Sequence, residues 1–184
     1  MKLGIIPRMT LEELDRLPDD FNRYELIAGE LFVTCTPRTR HQVIGTRLAT
    51  TIFPYVRRKK LGLVLIAPVD VTLEPESRVQ PDVLFITRER LDIVSKEGVL
   101  GPPDLVIEIL SESSSSTDRK EKRDLYKRSG VKEYWIVDPD QDQVFVYRWA
   151  EGPDPAKLGP AEVLTTPLIS GLRIRLRAIF SKRL

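Results

Sequence analysis

Leu105 to Leu110 reads Leu-Val-Ile-Glu-Ile-Leu, apolar on both alternating faces, and Glu108 stands in the middle of it. That pattern predicts a strand covered on both sides, where an unpartnered carboxylate loses several kcal/mol of hydration. Glu108 must therefore be protonated or meet a cation. Asp82 has a related setting, following Pro81 at the mouth of a second apolar run, Val83-Leu84-Phe85-Ile86. The cation is offered by a predicted helix from Asp118 to Ser129. At about 100° per residue, Lys122 falls within about 10° of the bisector of Leu125 and Tyr126, whereas Lys120 and Lys127 point more than about 90° away. Lys122 faces the protein, and Asp118 shares part of that face. Two acids at strand positions can share a divalent hard cation through oxygen ligands, and a lysine beside them can hold an attacking water or offset charge on a phosphate. A metal-free pair, with Lys122 neutralising Glu108, uses the same residues. Spacing alone leaves both readings open.

The elements that must position these residues are short. Thr10 and Glu13 form a capping box for a helix from Leu11 to Leu17, closed by Pro18. Tyr24 to Ile27 and Glu30 to Val33 flank Ala28-Gly29 as a hairpin. A helix follows from His41 to about Arg58, with Pro54 expected to kink or tighten its last part. Leu63 to Ala67 and Val69 to Leu73 read as strands, Glu74 to Ser77 as a turn, and Thr87 to Val94 as a short helix. Ser111 to Thr117 reads as a solvated loop ending in a helix cap at Ser116 or Thr117, with phosphate contact as its alternative, and Gly130 is placed to cap the helix behind it. Tyr134 to Val137 and Val144 to Tyr147 are strands, Gly152 to Pro160 a surface loop, and Glu162 to Thr166 and Leu172 to Leu176 closing strands. Helices and strands do not alternate cleanly. The expected fold is therefore α/β of the mixed α+β kind, a mixed central sheet flanked by helices with antiparallel hairpins. No glycine-rich phosphate loop follows a strand, which argues against a nucleotide-binding fold.

A length of 184 residues with 41% hydrophobic content suits one domain over residues 1–184. With 29 Lys and Arg against 27 Asp and Glu, the net charge of +2 neither announces nor excludes nucleic acid. Cys35 is the one cysteine, which excludes an intrachain disulfide and a cysteine zinc cluster and fits a reducing cytoplasm. It is expected as a small buried hydrophobe in a strand. The apolar run at Met1 to Pro7 is too short for a signal peptide, and no stretch approaches the ~20 apolar residues of a membrane span.

Pro81-Asp82 followed by Glu108 in Leu-Val-Ile-Glu-Ile-Leu-Ser resembles the PD-(D/E)XK motif of the restriction-endonuclease-like nucleases. The run Pro-Asp-Leu-Val-Ile-Glu-Ile-Leu-Ser, then Asp118, Lys122 and Tyr126, then Gly-Val-Lys-Glu-Tyr-Trp-Ile-Val-Asp-Pro, is similar to the Uma family of restriction endonucleases. So are Tyr24 to Glu30 and His41-Gln42, and the match spans roughly Thr10 to Leu176. The resemblance implies a restriction-endonuclease-like fold and an endonuclease using Mg²⁺ or Mn²⁺ to hydrolyse phosphodiester bonds, with DNA as partner. Asp82 and Glu108 are then the metal ligands and Lys122 the third catalytic residue. Glu25 is a candidate additional acid, Gln80 a candidate lining residue, and His41 a candidate proton shuttle or phosphate contact, although a helix-start role is the plainer reading of His41. The motif's usual lysine position holds Leu110, so Lys122, 14 residues after Glu108, is the lysine that geometry offers. Arg38, Arg40, Arg47, Arg57, Arg58, Lys59 and Lys60 are candidate phosphate contacts, and double-strand cleavage favours a homodimer. The other reading is an inactive nucleic-acid-binding or interaction module on the same fold.

Overall fold

The computed structural model describes residues 8–18, 20, 22–35 and 38–182, so the Met1 to Pro7 run lies outside the described residues. Helix α1 (Leu11–Leu14) carries the expected capping box and is shorter than predicted. Strands β1 (Arg23–Ile27) and β2 (Glu30–Thr34) pair antiparallel. Ala28 and Gly29 between them both have positive φ, 50° and 78°, as a tight hairpin turn requires. Helix α2 (Thr39–Lys59) runs unbroken through Pro54. That proline is exposed, so water can take the Thr50 carbonyl it leaves unbonded.

Beyond α2 come β3 (Gly62–Ile66), β4 (Val71–Glu74), β5 (Ser77–Val79) and β6 (Val83–Thr87), then a 3₁₀ turn (Arg88–Ile93), β7 (Val99–Leu100) and β8 (Leu105–Ile109). The chain continues through α3 (Ser115–Thr117), a π turn (Asp118–Lys122) and α4 (Arg123–Ser129) to β9 (Glu133–Asp138) and β10 (Gln143–Arg148). It closes with β11 (Ala156–Leu158), β12 (Val163–Leu164), β13 (Ile174–Arg175) and α5 (Leu176–Ile179). The central sheet has six strands in the order β11-β10-β9-β8-β6-β3, with β8 and β9 parallel and the other neighbours antiparallel. A second sheet of five strands runs β2-β1-β5-β4-β7.

Two apolar layers sandwich the central sheet. Ile44, Leu48, Ile52 and Val56, one stripe of α2, pack on the face made by Val83, Phe85, Leu105, Ile107 and Ile109. The opposite face, with Leu84, Ile86, Val106, Leu110 and Ile136, is covered by Leu125 and Tyr126 of α4 and by Val71, Val79 and Val99 of the second sheet. Every residue of β8 is buried, as the two-sided apolar pattern requires.

Several local expectations change. The helix behind the serine-rich loop starts at Ser115, with Ser114 at its N-cap, because the Ser111 hydroxyl bonds those of Ser113 and Ser114 and closes the turn ahead of it. The Gly152 to Pro160 loop contains β11, since β10 leaves an edge for it to pair with. The closing strand shortens to β13 and turns into α5, whose Leu176 and Ile179 bury against α2. Cys35 is exposed, one residue past the end of β2, and is not a strand residue. No helix among the described residues is long and apolar enough to cross a membrane.

Candidate active site

Period two along β8 sends Leu105, Ile107 and Ile109 to the α2 layer and Val106, Glu108 and Leu110 to the α4 layer. Glu108 therefore meets the helix whose inward stripe includes Tyr126 and, one turn earlier, Lys122. Lys122 Nζ lies 3.0 Å from Glu108 Oε1, and the Tyr126 hydroxyl donates to the same oxygen at 2.7 Å. Lys122 Nζ also lies 2.8 Å from Glu25 Oε2 and 3.4 Å from Asp118 Oδ1. Lys122, Glu108, Glu25 and Asp118 are each 1% exposed, so the lysine neutralises a group of carboxylates out of contact with bulk water. The π turn carries Asp118 and Lys122 together, and Tyr134 fixes its start by donating to the Asp118 carbonyl at 2.9 Å.

Asp82 arrives from the neighbouring strand. The β6–β8 ladder ends with Val83 paired to Ile107, so Asp82 and Glu108 are the next residues outward on the two strands. The strand pairing stops at Val83, and the Asp82 side chain takes over where the ladder ends: its Oδ2 accepts the Ile109 N–H at 2.8 Å. His41 Nε2 lies 3.1 Å from the same oxygen, and Arg23 Nη1 donates to Oδ1 at 3.1 Å and to the Gln80 carbonyl at 3.0 Å. Asp82 and Glu108 both line a cavity of about 20 Å³, the size of one water or one ion. Glu108 Oε2 has no donor among the described residues.

The charges follow from these contacts. Burial pushes Glu108 up to about 8, opposed by Lys122 and reinforced by Asp118, Asp82 and Glu25. Asp118 is raised for the same reasons, burial first. Burial alone would lower Lys122, but Glu108, Glu25 and Asp118 outweigh it and hold the ammonium well above its ordinary range. Asp82 goes the other way: burial would raise it, yet His41, Arg23 and the Ile109 N–H keep it below the usual carboxylate value. The two acids thus differ, Asp82 held ionised and Glu108 held toward its proton.

The structure brings Asp82, Glu108, Lys122, Glu25 and His41 into one group. Gln80 contributes its backbone: its N–H donates to Glu25 Oε1 at 2.7 Å, while its side chain turns away to Asp70 at 2.8 Å. Leu110 packs in the α4 layer, so the lysine reaches Glu108 from a different element. Arg23, two residues before Glu25 and on the same face of β1, completes the group, a role that its place at the start of a strand does not announce.

A family model named Uma2 and described as "Putative restriction endonuclease" matches residues 11–177. Among solved structures, the chain is similar to one described as "a putative nuclease belonging to DUF820" from Anabaena variabilis ATCC 29413. The two share 23% identity at a TM-score of 0.80, over 94% of this chain and 97% of that one, a likeness of fold. No curated protein matches the chain.

Proposed function

The chain belongs to the Uma2 family, and from that premise we propose that it is a divalent-cation-dependent endonuclease hydrolysing phosphodiester bonds in DNA. The observation that carries this reading is the placement of Asp82 and Glu108 side by side at the end of the β6–β8 ladder, on one water-sized cavity, with the Lys122 ammonium 3.0 Å from Glu108. The donor set suits a hard cation. Four carboxylates, Glu25, Asp82, Glu108 and Asp118, face two fixed cations, Arg23 and Lys122, and burial first, with the neighbouring carboxylates adding to it, pulls Glu108 and Asp118 upward. A divalent ion supplies the missing charge. Among the described residues no three His, Cys, Asp or Glu side chains converge as a ready-made cage. Asp82 and Glu108 would hold the ion, in keeping with Mg²⁺ or Mn²⁺ sites that use one or two carboxylates and retain waters.

When bound, such an ion polarises a phosphoryl oxygen and lowers the pKa of water. The chain's own residues do the positioning. Arg23, His41 and the Ile109 N–H fix Asp82 in rotamer and charge. Glu25 and Asp118 hold Lys122 so that its ammonium stands beside Glu108, where it orients the attacking water or offsets charge developing on the phosphate. Cleavage of both strands would take two such sites, hence a homodimer.

One observation favours the competing reading, an inactive nucleic-acid-binding module: Lys122 is already satisfied by carboxylates without a metal. Plasmid DNA incubated with Mg²⁺, Mn²⁺ or chelator separates the two, using wild type, Asp82→Ala and Lys122→Ala. The nuclease reading expects metal-dependent nicking that both substitutions abolish. Tight DNA binding with no cleavage under any metal would replace it with the binding module.

A further inference from the structure

A second space adjoins the carboxylate cavity. It measures about 220 Å³, lies between the first turns of α2 and the corner Ile66-Ala67-Pro68 after β3, and shares Arg23, His41, Asp82 and Ile109 with the cavity. Resting on the nuclease reading, we infer that this groove is the subsite for one nucleotide beside the scissile phosphate, with its phosphate anchored by Arg23.

Size argues for a single unit. Pockets for drug-sized molecules run about 300–1,000 Å³, and a groove of about 220 Å³ is smaller, suited to one base or nucleoside and not to stacked base pairs. The walls have the right chemistry. Gly45 and Ala49 keep the helix side low, while Ile66, 57% exposed, and Pro68 give an apolar rim against which a base can lie. Gln42 and Thr46 are exposed on the helix side, and neither side chain has a hydrogen-bond partner among the described residues. An amide and a hydroxyl there can meet a base edge, each able both to donate and to accept. A base in an apolar slot with adaptable polar groups at its edge is how nucleic-acid enzymes hold an unstacked nucleotide.

The link to the phosphate is Arg23. It spends Nη1 on Asp82 and the Gln80 carbonyl, which leaves Nε and Nη2 without partners among the described residues. The side chain is 22% exposed and borders both spaces, so those free donors stand where a phosphate joining groove to cavity would pass. An arginine fork is the donor that fits two phosphate oxygens at once. His41, on the same boundary, commits Nε2 to Asp82 and leaves Nδ1 without a partner among the described residues.

The test is a binding measurement that needs neither metal nor turnover. Each of the four deoxynucleoside 5′-monophosphates, deoxyribose 5-phosphate and inorganic phosphate are titrated into the whole chain by calorimetry. At least one nucleotide is expected to bind ten-fold or more tighter than deoxyribose 5-phosphate and phosphate. Thr46→Trp and Ala49→Phe, either of which fills the groove, are expected to erase that advantage. Folding of each is checked by circular dichroism, and the exposed position of Thr46 keeps one variant usable. Equal binding of all the probes to wild type, or an advantage that survives a folded groove-filling variant, overturns the subsite. Metal-dependent DNA cleavage alongside equal probe binding removes the subsite and leaves the nuclease. A groove that binds nucleotides in a chain that cleaves nothing does the reverse.

Discussion

At the scale of single residues, the site rests on one buried cation among acids. Removing Lys122 leaves Glu108, Glu25 and Asp118 facing one another without bulk water, and breaking a buried pair in this way costs about 3–5 kcal/mol. Lys122→Met should cost that much at pH 7 in denaturant melts, and less at pH 5, where the carboxylates can take up protons. A pH-independent loss would show that the lysine acts by packing. Glu108→Gln makes the converse prediction. A carboxyl raised from 4.5 to about 8 in the folded protein holds its proton there while the unfolded chain has lost it. Its ionisation therefore subtracts stability progressively from pH 4.5 to 8. The glutamine variant, which keeps an acceptor for Tyr126, should gain on wild type across that interval by at least about 1 kcal/mol, roughly 2–4 °C. A gap that narrows with rising pH would refute the assignment. Glu108 and Lys122 were legible in the sequence because each is a charge inside an apolar period, of two for the strand and 3.6 for the helix. Arg23 was not, since an arginine opening a strand is an ordinary surface residue until the Asp82 carboxylate comes within 3.1 Å of it across the fold.

At the scale of elements, the strand that carries Glu108 is anchored at its entry by Asp104. Its carboxylate accepts the Thr87 N–H at 2.8 Å and pairs with Arg90 at 3.0 Å and Lys132 at 2.7 Å. Its carbonyl accepts the N–H groups of Lys132 and Glu133, so the ends of β6, β8 and β9 and the 3₁₀ turn meet at one residue. Burial would raise Asp104, but Lys132, the Thr87 N–H and Arg90 outweigh it and lower it from its usual 3.8. A depressed acid contributes stability above its unfolded pKa and loses it as the pH falls through the folded value. Asp104→Asn should cost about 1–3 kcal/mol at pH 7, with the difference from wild type closing in acid below pH 3.8. A constant difference down to pH 2 would count against the charge pairs. The β8 core and the α2 stripe could be read from periodicity, as could the Gly130 cap, which takes φ 92°. The π turn could not, because a five-residue register is set by Tyr134 and the Glu108 cluster holding its two ends. Nor could β11, whose short strand exists by pairing with the free edge of β10.

At the scale of the whole molecule, the candidate phosphate contacts separate by position. Arg38 makes an exposed pair with Glu112, while Arg40 pairs with Asp142 and Arg47 donates to the carbonyls of Ile179 and Ser181, so the last two serve the fold around the N-terminal half of α2. Arg57, Arg58, Lys59 and Lys60 are exposed at the other end of the helix. Sixteen residues separate His41 from Arg57, about 24 Å at 1.5 Å per residue, so this cluster and the carboxylate cavity cannot touch the same phosphate. With phosphates about 3.4 Å apart along a strand, the distance corresponds to roughly seven nucleotides. The cluster therefore matters to long DNA alone. In the double variant Arg57→Glu/Arg58→Glu, duplexes longer than about ten base pairs should bind more weakly, and the slope of log affinity against log salt should shrink by about 0.9 for each lost phosphate contact, close to two in all. Oligonucleotides of about four base pairs, too short to span from the cavity to the cluster, should bind both proteins alike. Identical salt slopes on long duplexes would make this end of α2 a solvated face, and would confine the nucleic-acid contact to the region around Arg23, His41 and the groove beside them.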